Sequence, residues 1–596
     1  MILMTLAAHL DLNEMLELIE MHNTPDGWIA LDTESNYSYK ENERRDIRDG
    51  TGWGIGISIA GRITDSMVVS GYAPFRHQRG TNLDISLRLK LKEAIETFQG
   101  WIIFHNAKFD LVSLRTMGIN YTGKFYCTLV MAHILNENFP YAKDLTSCVK
   151  AYVDKLDSKK DTDEFKMLVK LLGWDGVPAD EMVDYAAYDP DLTLRLLERI
   201  KPLFDKEVPA EYWEHKQDFI RCIIAMEGRG VEVDQTLCKR MSAIGRLQME
   251  ETEQELGYNL ASSKDLEKLL INDLHLPVVR RGKSGRPSFD KEIMAEYEQI
   301  LENRDGDETA NTVLTYRGWA KAASTNYEPY VSLLSPDGRL RPNYKLHGTK
   351  TGRLSCEKPN LQNIPKISDK PWNGKMKAAF TAKEGFKLWE ADYMQLEFRI
   401  GAAYGQQKNL LDIFNEVPNR DIFEEMSKDM GENRYDTKQI TYTIQFGAGG
   451  PKIGWRLGRT AEEGTRLKDK WYANYPGIKK VSDRAASVVR RKGKVQLWSQ
   501  RYRHFMYPED ESFKAFNSVC QGGAADLVNY AMVRLFKTVD NEEECRMLLQ
   551  VHDSVVFEIK EGLEDKYLPM IKEAMENDNP DFGVRFPISI HIWGED

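Results

Sequence analysis

The chain has 596 residues, room for about four domain-sized cores. Its 42% hydrophobic and 29% charged residues are the balance of an ordinary globular protein, and no apolar run approaches the ~20 residues of a membrane helix. A net charge of −11 counts against a protein that simply coats nucleic acid, although field depends on where charge sits.

The opening Met1-Ile-Leu-Met lacks a basic flank and a cleavage pattern, so no signal peptide is expected. Seven scattered cysteines show neither metal nor disulfide spacing, which fits reduced thiols in a cytosol. Two basic clusters, Arg280-Arg-Gly-Lys283-Ser-Gly-Arg286 and Arg490-Arg-Lys-Gly-Lys494, read by themselves as solvated loops.

Gly27-Trp-Ile-Ala-Leu-Asp32-Thr-Glu34 reads as a buried strand ending in two acids, which share a face because they are two apart. Gly100-Trp-Ile-Ile-Phe-His-Asn106-Ala-Lys-Phe-Asp110 reads as a strand running into a helix. Asp180 opens a long amphipathic helix that carries Tyr185 and Asp189 on one face, four apart, and continues through Leu197. Four carboxylates, Asp32, Glu34, Asp110 and Asp189, repel one another unless cations neutralise them. Two hard divalent ions do so and also activate a water, which Tyr185 is placed to orient. In this order the pieces resemble the proofreading 3′–5′ exonuclease family whose metal site is three aspartates, a glutamate and a tyrosine.

Cys222 to Asp234 reads as a helix stopped by glycine and followed by a short strand. The Glu- and Lys-rich helical region after it, broken near 282–287, reads two ways: a solvated helical hairpin, or a thumb that grips duplex backbone. His347 to Pro365 is a loop by its Gly, Pro and Asn content, crowded with donors (Arg353, Asn360, Gln362) suited to phosphates or groove edges. Asp392 ends the apolar strand Phe386–Ala391, and a helix begins near Gln395, an arrangement suited to a polyphosphate. Arg434, Lys438, Tyr442 and Phe446 are each four apart and form one helical stripe, which reads equally as two cations for phosphates followed by an aromatic for a base, or as a packing face with snorkelling cations. Asp553 lies between the apolar stretches Met547–Val551 and Val555–Phe557 and reads as a hairpin tip.

Thr351-Gly-Arg-Leu-Ser, Pro359-Asn-Leu-Gln-Asn-Ile-Pro, Asp392-Tyr-x-Gln-x-Glu-x-Arg, Arg434-x-x-x-Lys-x-x-x-Tyr, Gln521-Gly-Gly-Ala-Ala-Asp and Val551-His-Asp553 follow one another in the order of the family A DNA polymerases, which the chain resembles over nearly its whole length. The resemblance implies multidomain architecture of α/β and α+β class. A ribonuclease H-like exonuclease domain over 1–205 precedes a right-hand polymerase over 206–596, with the thumb at about 206–335 and palm and fingers at about 336–596. It implies Mg²⁺, two per active site with Mn²⁺ as a substitute, held at the synthetic site by Asp392 and Asp553. Arg434 and Lys438 then bind the triphosphate, Tyr442 stacks on the nascent pair, Glu397 is the gate against a ribose 2′-hydroxyl, and Tyr393 adjoins the dNTP. Arg353, Asn360, Gln362, Phe446, Asn517, Gln521 and His552 are implied to touch primer–template DNA. No 5′-nuclease segment precedes this stretch, so a compact, monomeric, phage-type enzyme of the host cytoplasm is expected. No processivity partner is identified.

Several positions depart from the commoner family pattern: Cys127, Phe423, Thr443, Phe446, Phe513 and, after the second catalytic aspartate, Ser554 in place of Glu. None removes a metal-holding carboxylate. The competing readings are an exonuclease whose polymerase-like half only binds primer–template, a single-subunit RNA polymerase relative, and a non-catalytic scaffold.

Overall fold

The structure is a computed structural model. It describes residues 9–38, 44–153, 163–282, 284–365, 370–416, 421–577 and 582–595. The opening residues and Lys283 of the first basic cluster lie outside these. The chain divides into two compact units, one of residues 1–228, 344–355 and 390–590, the other of 229–343, 356–389 and 591–596.

The first unit begins with a six-stranded sheet. Its strands are β1 (His9–Leu10), β2 (Trp28–Ser35), β3 (Gly54–Thr64), β4 (Met67–Pro74), β5 (Trp101–Phe104) and β6 (Lys124–Cys127), in the order β1-β4-β3-β2-β5-β6. β2, β3 and β4 pair antiparallel, while β5 and β6 extend the sheet parallel to β2. β3 alternates by size. Ile55, Ile57 and Ile59 are fully buried on one face, and Gly54, Gly56, Ser58 and Ala60 line the other. That small-residue face leaves room for the acids of β2, because Asp32 pairs with Ser58 and Glu34 with Gly56. The helix Ala107–Thr116 follows β5 as expected. The single helix expected from Asp180 onward is instead two, Ala179–Ala186 and Tyr188–Glu207, which abut at Ala187. The expected boundary at 205 falls close to the gap between Glu207 and the next helix, Ala210–Arg229, which belongs to the first unit. Gly230, at φ +62, then turns the chain into β7 (Val231–Val233).

In the second unit β7 pairs with β8 (Arg339–Leu340) and, beyond β9 (Asn343–Lys345) and β10 (Ser355–Glu357), with β11 (Phe380–Thr381), in the order β11-β7-β8. Its helices Gln235–Leu256, Lys291–Asp305 and Thr309–Lys321 enclose a core that includes Leu270, Met294, Tyr297, Leu301 and Val313.

The chain returns to the first unit at Glu390, within β12 (Phe386–Tyr393). After a hairpin of β13 (Lys494–Gln496) and β14 (Tyr502–His504) come β15 (Cys545–Val551), β16 (Ser554–Lys560) and β17 (Ile588–Ile592). The second sheet has the order β15-β16-β12-β17. β15 is buried throughout and turns into β16 through only His552 and Asp553, with His552 at φ +56. Helices between Leu396 and Lys492 share a core of Phe398, Phe414, Phe423, Met426, Ile440, Ile444 and Trp471. The second basic cluster closes the last of them. Arg490, Arg491 and Lys492 fill its final turn, where cations favour the helix dipole.

Candidate functional site

Two acidic centres form, one on each sheet of the first unit. On the first sheet, carboxylate oxygens of Asp32, Glu34 and Asp189 lie within 4.8 Å of one another. β2 supplies two of them from one face, and the first turn of Tyr188–Glu207 supplies the third. Three hard, anionic oxygen donors so close together suit a divalent cation. Asp110, 2% exposed, accepts from the Thr33 backbone N–H at 3.2 Å and the Thr33 hydroxyl at 2.9 Å. Burial pushes its carboxyl up to about 7, against the pull of those hydrogen bonds. Tyr185 stacks on Phe165, with ring centroids 4.4 Å apart.

On the second sheet, Asp392 lies at the end of β12 and Asp553 in the turn before the neighbouring strand β16. The Tyr393 N–H donates to the Asp553 carbonyl at 3.5 Å, so the two backbones abut. Arg353 donates to Glu397 and, at 3.2 Å, to Asp553. Burial holds Glu397 above the usual carboxylate range against the pull of Arg353, with Asp553 adding to the rise. Burial likewise pushes the Tyr442 phenol up to about 12, with the charges of Glu397 and Asp553 contributing. Arg353, Glu397, Tyr442 and Asp553 therefore form one electrostatic neighbourhood, built from a loop, two helices and a turn.

The remaining predicted residues are distributed around this neighbourhood and beyond it. Arg434 opens the helix Arg434–Gln445 and pairs with Asp421 at 2.6 Å and Glu424 at 3.7 Å. Lys438 lies over the Phe423 ring, 5.8 Å from its centroid, and Phe423 packs under Tyr442. Phe446, at the end of that helix, is 44% exposed. Tyr393 is buried, its hydroxyl donating to the Met575 carbonyl at 2.6 Å. Asn517 and Gln521 are half-buried on the helix Ala515–Thr538, and His552 is exposed. Asn360 and Gln362 belong to the second unit, where the Asn360 side chain accepts from the Gln362 N–H at 3.2 Å and Gln362 is buried.

Two residues near these centres carry no sequence signal of their own. Glu390, buried on β12 two residues before Asp392, accepts from the Ser554 hydroxyl at 2.7 Å. A carboxylate therefore stands beside position 554, although the residue there is serine. Tyr72 on β4 lies over the same sheet face as Asp32 and Glu34. The one local hint of it is Gly56, a glycine inside a strand where a neighbour approaches closely.

The family description "DNA polymerase family A" matches residues 231–595, and "3′-5′ exonuclease" matches residues 9–205. The chain is 28% identical over 582 residues to DNA polymerase I of Chloroflexus aurantiacus, covering 91% of this chain and 59% of that protein. It is 27% identical over 593 residues to DNA polymerase I of Pseudomonas aeruginosa, covering 92% and 62%. With the thermostable DNA polymerase I of Thermus filiformis it shares 30% over 437 residues, covering 69% and 51%. The chain thus spans between half and two thirds of the length of these relatives. The solved POL domain of Pol1 from M. smegmatis, in complex with DNA primer-template and dNTP, superposes with a TM-score of 0.81 at 20% identity, over 98% of this chain and 99% of that one. That likeness establishes the fold, and the two family descriptions give its order, an exonuclease domain followed by a polymerase domain. With more than half of its length matched by the family description, the chain belongs to DNA polymerase family A.

Proposed function

We propose that this chain extends a primer on a DNA template from dNTPs and removes mispaired 3′ ends by 3′–5′ exonuclease action, the two reactions taking place at the two acidic centres. The observation that carries the reading is the junction of β12 with the β15–β16 turn, which brings the segments of Asp392 and Asp553 side by side with Glu397, Arg353 and Tyr442 around them. Divalent cations, Mg²⁺ or Mn²⁺ and two per centre, would be held by Asp392 and Asp553 for synthesis and by Asp32, Glu34, Asp110 and Asp189 for degradation; when bound they supply the Lewis acidity that activates a hydroxyl or water and offsets phosphate charge.

The protein's own groups do the rest. Arg353 holds Glu397 and Asp553 together against like-charge repulsion before substrate arrives. Glu397 stands where a ribose 2′-hydroxyl would project, and Tyr442 beside it supplies a flat apolar face for the nascent pair. Arg434 and Lys438 bind the triphosphate, and Tyr393 supports this position from within the core. Phe446 offers an exposed ring to a template base. Arg353, Asn360, Gln362, Asn517, Gln521 and His552 contact primer–template DNA, and Tyr185 orients the attacking water at the exonuclease centre. The domains divide at about 205 into exonuclease and polymerase, with the thumb over about 206–335. The enzyme acts as a monomer in the cytoplasm, that of the host if a phage encodes it.

Extension and degradation of a labelled primer–template test this reading. Asp553→Asn is expected to abolish extension with all four dNTPs and leave degradation intact, and Asp32→Ala to do the reverse. Degradation without any extension by the unsubstituted chain would reduce the polymerase half to a DNA-binding module. Preferential use of rNTPs would point to RNA synthesis.

A further inference from the structure

The small-residue face of β3, which leaves room for the acids of β2, also receives a side chain from β4. Across β2, β3 and β4 the register sets Asp32, Ser58 and Tyr72 in one line and Glu34, Gly56 and Pro74 in the next. Residues directly opposite in antiparallel strands share a face, so all six project to the same side. Tyr72 leans from its own line into the next. A Cβ on Gly56 would lie 2.0 Å from the Tyr72 hydroxyl oxygen, so that oxygen sits where a side chain opposite Glu34 would be.

The proton on that oxygen is accounted for. His77 Nδ1 lies 2.8 Å from the Val177 carbonyl, which only accepts, so Nδ1 carries the hydrogen. Burial lowers the His77 pKa, which keeps the ring neutral and leaves Nε2 as an acceptor. Tyr72, 2.7 Å away, therefore donates to Nε2. A phenol is protonated at neutral pH, and here that proton is engaged by Nε2. Toward the acids its oxygen presents lone pairs alone.

We propose that Tyr72 is a positioning residue of the exonuclease centre: locked by His77, its oxygen stands beside Glu34 as a further acceptor, to which a water of a hydrated divalent cation donates. Gly56 is then required at its place because Tyr72 occupies the volume of a side chain there. The inference rests on the exonuclease reading of this centre.

The test uses the full chain with Tyr72→Phe and Gly56→Ala. Three quantities are measured: single-stranded DNA degradation against Mg²⁺ or Mn²⁺ concentration, Mn²⁺ binding by calorimetry with Asp32→Ala identifying this centre's share of the heat, and primer extension as a check on folding. Tyr72→Phe is expected to raise the metal half-saturation of degradation about three- to tenfold, as for one lost hydrogen bond, and to weaken Mn²⁺ binding by a similar factor. Extension should not change. Gly56→Ala keeps the tyrosine but displaces it, and should give the same shift. A lower melting temperature in both variants with unaltered metal dependence and Mn²⁺ affinity would make Tyr72 an ordinary core residue and overturn the proposal. Failure of the exonuclease reading looks different, since the unsubstituted chain would then leave DNA intact while calorimetry still reported whether Tyr72 acts on the cation.

Discussion

Lys216 takes its ammonium into the interior between the rings of Tyr212 and Phe219, at 5.1 and 5.0 Å from their centroids. Burial lowers its pKa to about 8, with Arg501 assisting and Asp526 opposing. In the folded chain the lysine releases its proton near pH 8, and in the unfolded chain near its ordinary 10.5. Between those values the unfolded state binds more protons, so this group makes stability rise with pH. Lys216→Met should therefore stabilise the protein at pH 7, by the order of 3 kcal/mol, and the gain should vanish as pH passes 10.5. Melting curves of both proteins from pH 7 to 11 would check it. Nothing near Tyr212-Trp-Glu-His-Lys216 marks that lysine as buried, because packing against residues distant in sequence imposes it. Tyr72 was hidden for the same reason: its meaning lies in a three-strand register that local pattern does not contain. Asp32, Glu34, Asp392 and Asp553 were legible because each lies at or just beyond the end of an apolar strand, whereas Asp110 and Asp189 are carried by helices.

At the scale of elements, strands and turns were easier to read than helix continuity. The β15–β16 turn follows from two apolar runs separated by three residues, His552, Asp553 and Ser554, and β12 ends where its apolar pattern stops. The break at Ala187 does have a marker, Pro190, which a helix tolerates in its first turn but not in its interior, so that a new helix must start just before it. The pairing of Arg434 with Asp421 was hidden. Asp421 accepts from the Phe423 and Glu424 backbone N–H groups at the start of the helix Ile422–Met430 and also holds the cation proposed for the triphosphate. Asp421→Ala should cost about 1 kcal/mol through loss of the cap. It should also release Arg434 and lower the KM for dNTPs about two- to fivefold, the range of an exposed ion pair. Steady-state extension kinetics and a melting curve separate the two effects.

The whole first unit is joined by buried polar contacts that link its exonuclease part to its polymerase part. Glu137 accepts from Arg503 at 2.5 Å and pairs with His504 at 3.1 Å, and the Glu137 and Arg503 side chains are almost fully buried. Tyr212 and Arg501 converge on Asp526, and Arg501 also donates to the Thr351 carbonyl at 2.6 Å, two residues before Arg353. Glu137→Ala leaves Arg503 buried without its carboxylate and should cost about 3–5 kcal/mol. Because both sheets belong to one compact unit, degradation and extension should be lost at the same temperature, and that temperature should fall in the variant. Activity assays after heating, alongside calorimetry, would show it; two separate inactivation midpoints would contradict a shared unit.

The order of the strands along the chain has a consequence for biosynthesis. All six strands of the first sheet, with the three acids that cluster on it, precede residue 190, and the last buried residue of the core beneath them is Ile224, with Leu346 packing against it later. The sheet carrying Asp392 and Asp553 must wait for β17, which ends only at Ile592, and the chain crosses between its two units at 228, 343, 355 and 389 before that strand begins. On a translating ribosome the three acids of the first sheet are therefore all in the chain hundreds of codons before the second sheet can close, and the buried Arg503 that pairs with Glu137 comes only in between.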